Sequence, residues 1–140
     1  MEGRHVVVRV AAERFALPME AVRQVVVPQP PFARVPRAAG AVRGVMTLRG
    51  RVVAVVDLAE LVGLPPQRLA AGRGRVVILD RDRRTLGLLV DEVAGIEALR
   101  CAEPAAEGLR AGVAPGAGGA VTLLRPEAVA AAAAALFGGP

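Results

Sequence analysis

Apolar positions in this chain come in short, dense runs instead of long helical stripes. Residues 6–10, 15–17, 45–48, 52–56, 76–79 and 86–90 are dominated by Val, Ile, Leu and Phe, with charged or turn-forming residues between them. Runs of this length, rich in β-branched residues, read as buried strands. The runs at 45–48 and 52–56 flank Arg49-Gly50. Glycine reaches positive φ without steric cost, so this pair predicts a hairpin turn. The Arg49 guanidinium then stands at the tip of a rigid β element, with up to five donors for a carboxylate on another molecule.

Helical signals are confined to two places. Residues 58–62 follow Asp57, whose carboxylate can accept from the next turn's amides and cap a short helix. Pro126 suits a first helical position, and an alanine-rich helix runs on to Phe137. Residues 28–40 contain Pro28, Pro30, Pro31 and Pro36; lacking amide donors, they predict a loop that crosses between elements without sheet pairing. Residues 64–74, with Pro65, Pro66, Gly72 and Gly74, predict a joint between two halves.

The two halves resemble each other. A shift of 71 sets Val6-Val7-Val8 against Val77-Ile78-Leu79, Phe15-Ala16-Leu17 against Leu86-Gly87-Leu88, and Val25 against Ile96. A shift of 68 sets Gly44-Val45 against Gly112-Val113, and Val53, Val55 and Val56 against Val121, Leu123 and Leu124. Each half therefore predicts a strand, a turn, a second strand, a short helical or bent segment, a loop and a hairpin. Many short strands between Gly and Pro turns argue for small barrels over a parallel sheet. The expected organisation is one domain over 1–140, with a first lobe at 1–70 and a second at 75–140.

Composition then narrows the chemistry. At 140 residues a single core can bury roughly two-thirds of the unfolded chain's surface. Ser, Lys, Tyr, Asn and Trp are absent, which removes the serine nucleophile, the Schiff-base and phosphate-loop lysines and the tyrosine acid. Cys101 is the only cysteine and His5 the only histidine, so neither a disulfide framework nor a thiolate metal site is expected. Carboxylate pairs such as Asp80 with Asp82, or Asp91 with Glu92, are the remaining enzymatic option, but Asp91 and Glu92, adjacent in a strand, point to opposite faces and cannot easily share a proton. The glycines of 112–119 lack the lysine of a phosphate loop and read as a flexible turn. A net charge of +5 raises nucleic-acid binding by a basic β-barrel as the alternative function. Against it, the 18 basic residues are all arginine and scattered, and only Phe15, Phe32 and Phe137 could stack on bases. Neither a signal peptide nor an apolar run long enough to span a membrane is visible, so direct membrane insertion is not expected.

The residues Gly44, Leu48, Arg49, Gly50, Asp57 and Leu58 match the pattern of the CheW-like domain family, the adaptors of bacterial chemosensory arrays. Gly87-Leu88-Leu89-Val90-Asp91-Glu92-Val93 matches its second signature, so the chain resembles that family over nearly its full length. Thr47 stands where the family usually has asparagine, and Arg125 where an acidic residue is usual. The resemblance implies two small five-stranded SH3-like β-barrels side by side, with short helices, and a non-catalytic cytoplasmic adaptor without cofactor or metal. It implies two partners: the cytoplasmic tip of a chemoreceptor and the regulatory domain of a CheA-like histidine kinase. By position, Arg49 becomes the signalling arginine, Val22 and Val25 lie near a receptor-facing groove, and Leu88 and Val90 are candidate kinase contacts. Gly44 and Gly50 would hold the hairpin, and Asp57 would cap the helix.

Overall fold

The computed structural model describes residues 2–28, 32–33, 40–66, 73–81, 84–105 and 108–137. Much of the expected proline-rich loop, part of the joint and Asp82 lie outside them. Two sheets and two short helices make up the fold. The first sheet contains β1 (Glu2–Val10), β2 (Glu13–Pro18), β8 (Glu92–Arg100), β9 (Glu103–Pro104), β10 (Arg110–Gly116) and β11 (Gly119–Leu124) in the order β8-β1-β2-β11-β10-β9. The second contains β3 (Val22–Val26), β4 (Val42–Leu48), β5 (Arg51–Asp57), β6 (Arg75–Arg81) and β7 (Arg84–Val90) in the order β3-β6-β7-β5-β4. Helix α1 (Leu58–Leu61) follows β5 and α2 (Pro126–Ala134) follows β11. This is the expected all-β architecture of two SH3-like sheets with few helices, β9 being a short sixth strand.

Each sheet draws strands from both sides of the joint. The hairpin β1–β2 completes the sheet of β8, β10 and β11, and β6–β7 completes that of β3, β4 and β5. The expected lobes 1–70 and 75–140 are therefore not the units within which strands pair. The repeat itself holds to the residue. Val6↔Leu17 in one hairpin corresponds to Val77↔Leu88 in the other, and the parallel pair Phe15↔Thr122 corresponds to Leu86↔Ala54. Register breaks fall at equivalent places too, at Val42/Gly44 and Arg110/Gly112.

This exchange explains the continuous apolar runs. Val6, Val8, Val10, Phe15 and Leu17 of one hairpin and Val77, Leu79, Leu88 and Val90 of the other form a central cluster. The intervening Val7 and Ala16 face the first sheet's own interior, and Val76, Ile78 and Leu89 that of the second. Strands buried on both faces lose hydrophobic alternation, so the sequence showed them as solid runs.

The segments expected to be helical or bent after the second strands hold a three-residue 3₁₀ turn with β3, and the nine-residue β8. Strand β8 escaped the reading because its half-buried positions include Gly95 and Glu97, while Ile96 is 60% exposed. Glu97 is held there by accepting from the Ala117 amide at 2.8 Å. Cys101 is exposed just beyond β8.

Candidate functional site

The β4–β5 hairpin closes as the sequence requires. Leu48 pairs with Arg51, leaving Arg49 and Gly50 as the turn, with φ of 50° and 79°. Both values lie in the left-handed region that primed hairpin turns need to match strand twist. Glycine meets that requirement freely, whereas arginine does so against a steric cost. Arg49 is exposed and makes no hydrogen bond or ion pair with a described residue.

Gly44 does a different job from the one expected. It sits at a register break at φ 136°, buried, and an added Cβ would lie 2.7 Å from Phe32 Cβ and against the Ala33 carbonyl. Its smallness lets residues 32–33 pass close enough for Ala33 and Val45 to exchange backbone hydrogen bonds of 3.1 and 2.8 Å. Gly112, its counterpart, makes the same room for β9, with Glu103 O at 2.6 Å from an added Cβ.

Asp57 caps α1 as expected, accepting from the Ala59 amide at 3.0 Å, and it is fully buried. What sequence reasoning missed is its second partner: Arg43 Nη2 donates to Asp57 Oδ2 at 2.6 Å and lies 3.4 Å from Glu60 Oε2. The hairpin register held the signal, because a turn at residues 49 and 50 brings residue 43 beside 56 and 57. In the other half Ala111 stands in place of Arg43 and Arg125 in place of Asp57. There α2 has no side-chain cap, and the Arg125 guanidinium donates to the carbonyls of Gly108, Arg110 and Ala105. Pro126 at the first helical position removes one amide that would need capping.

An open groove of about 1070 Å³ lies beside the hairpin. Val45, Val52 and Ala54 of β4 and β5 form one wall, and alanines of α2 with Phe137 form another. Leu79, Asp80, Thr85 and Leu86 of β6 and β7 also line it, as do Glu20 and Ala21 of the 3₁₀ turn. Val52 is 70% exposed on this side of the hairpin. The structure thus brings the Arg49 hairpin and the segment just before Val22 to one groove. Val22 itself is half-buried against the central cluster and Val25 is 39% exposed on edge strand β3, neither lining the groove. Leu88 and Val90 are 0% exposed. Assigning them to a partner surface was a mistake, since both face the cluster between the exchanged hairpins. The α2 wall was also missed, because nothing local in an alanine run tells which distant strands it faces.

Among the described residues the carboxylates do not form a catalytic constellation, and Asp82, the expected partner of Asp80, lies outside them. Asp91 accepts from the Ala11 amide at 2.8 Å and pairs with Arg9 at 3.3 Å, and Glu92 pairs with the same arginine at 3.3 Å. Asp80 pairs with Arg23 at 3.0 Å. Among the described residues no group of His, Cys, Asp or Glu is close enough to hold a metal, and no helix is long and apolar enough to cross a membrane. Arginines too are tied internally: Arg110 donates to Val62 O and lies over the Phe15 ring at 5.9 Å, and Arg125 is caged by carbonyls.

No curated protein sequence matches this chain. Its fold is similar to that of the scaffolding protein TtCheW from Thermoanaerobacter tengcongensis, with a TM-score of 0.76 and 22% identity over 89% of this chain and 90% of that one. The family profile of the CheW-like domain matches residues 4–133. With nearly the whole described fold inside that match, the chain belongs to the CheW-like domain family, whose members are non-catalytic scaffolds.

Proposed function

We propose that this protein is a chemotaxis-type adaptor that couples the cytoplasmic tip of a chemoreceptor to the regulatory domain of a histidine kinase, working in the cytoplasm at receptor arrays. The observation that carries the reading is the open apolar groove beside the Arg49 hairpin, on a CheW-like fold. A scaffold needs faces that stay rigid while partners come and go. Arg49 meets that need: its backbone is fixed by the two-residue turn while its guanidinium remains free of described partners, ready for a bidentate carboxylate contact. The groove receives the receptor, and the outer strands with the hairpin meet the kinase. Val25 adds exposed apolar surface on edge strand β3, at the other end of that sheet from β4. Several modest contacts repeated across an array give firm assembly through effective concentration.

Size-exclusion chromatography of the purified protein with the kinase regulatory domain and a receptor cytoplasmic hairpin tests the reading. A ternary peak is expected, lost or weakened with Arg49→Ala. A wild-type protein that elutes alone from both partners would overturn it.

A further inference from the structure

The chain carries 18 arginines against 13 acids, yet every charged side chain lining the groove among the described residues is acidic: Glu20, Asp80 and Glu127. Asp80 is bonded to Arg23. Glu20 and Glu127 are exposed and have no hydrogen bond or ion pair to a described residue. Glu127 in the first turn of α2 suits the positive end of that helix. Glu20 lies on a different wall, in a three-residue turn with no comparable dipole.

The groove also restricts the form of its occupant. Strand β5 is paired on both sides, by β7 and β4, Val45 at the edge is bonded through its N–H and carbonyl to Ala33, and α2 bonds its own backbone, so at these lining positions the walls offer side chains. An extended peptide would enter with its backbone groups unmatched, whereas a helix brings them already satisfied. Ala130, Ala131 and Ala134 present only methyl groups along one wall, letting a helix approach at the short end of the roughly 8–10 Å interaxial range. Thr85 lines the same groove, with its Oγ1 buried and without a hydrogen-bond partner among the described residues.

Resting on the adaptor reading, we propose that the groove selects an amphipathic partner helix whose apolar stripe is flanked by lysine or arginine, with Glu20 and Glu127 as the charge-reading residues. The charges act mainly on selection and encounter, the apolar walls on retention.

The test measures binding of a chemoreceptor cytoplasmic hairpin by calorimetry, using the full-length protein. Its variants are Glu20→Lys/Glu127→Lys and, separately, Ala131→Leu, which fills the groove from an exposed position. The double reversal is expected to weaken binding about tenfold, and Ala131→Leu at least as much. A hairpin whose flanking lysines and arginines are replaced by glutamine should bind the wild type more weakly and be nearly indifferent to the reversal. If the wild type binds and the reversal stays within about twofold, the charge selection is wrong while the adaptor reading stands. A wild type that binds neither hairpin removes the adaptor reading together with this one.

Discussion

The Arg43–Asp57 pair ties the register break in β4 to the start of α1, and so braces the hairpin that walls the groove. Asp57 is 0% exposed and the Arg43 side chain 27%. Asp57→Ala removes a helix cap, about 1 kcal/mol, and deprives Arg43 of a charge-assisted hydrogen bond, which contributes about 1.5–3 kcal/mol. Partial exposure of Arg43 and its remaining proximity to Glu60 place that second contribution at the low end. The expected total is about 3 kcal/mol. Asp57→Asn separates the two effects. Its amide oxygen still caps Ala59 but its uncharged head no longer neutralises Arg43, so it should cost about 2 kcal/mol. Arg43→Ala should cost about 2 kcal/mol as well, because it removes a cation that neutralises a buried carboxylate. The double variant should fall short of additivity by about 1–2 kcal/mol. Urea unfolding followed by far-UV circular dichroism suits the measurement, since the chain has neither Trp nor Tyr to fluoresce. An Asp57→Asn protein as stable as wild type, or strict additivity in the double variant, would show that the pair contributes nothing beyond the cap.

Other substitutions probe separate features. Gly44→Ala should destabilise by about 2 kcal/mol or more, because it combines a left-handed φ with a clash against Phe32 and Ala33. Gly50→Ala has open space around it and should cost only about 1 kcal/mol in the same urea assay. Leu88→Ala should cost about 2–5 kcal/mol through a core cavity, and partner affinity measured well below its melting temperature should stay at the wild-type value, because that side chain never reaches the surface. Arg49→Ala should unfold within about 0.5 kcal/mol of wild type yet lose kinase coupling in a reconstituted array.

What the sequence disclosed and what it hid follow from the range of the interactions concerned. The β4–β5 turn was legible because Arg49 and Gly50 determine it between themselves. The Asp57 cap was legible because a cap reaches only to Ala59. The repeat was legible because both halves keep the same apolar positions, and the structure pairs them alike, Val6 opposite Leu17 and Val77 opposite Leu88. Which sheet each hairpin joins is a long-range choice, and two similar halves with similar apolar runs leave no local mark of the exchange. The same ambiguity misplaced Leu88 and Val90: a run buried on both faces looks like a strand with one face to offer. Strand β8 was hidden by Gly95 and Glu97 at inward positions. The groove was out of reach because Ala131 and Val52 are brought together only by the finished fold.

The account stands or falls on coupling between two partners by one rigid scaffold. Its most direct measurement is co-sedimentation of the histidine kinase with receptor-bearing membranes, with and without this protein. The account predicts that kinase pellets with the membranes only when the wild-type protein is added, and markedly less with Arg49→Ala or with the Glu20 and Glu127 reversals. Kinase that stays in the supernatant in the presence of folded wild-type protein would contradict it.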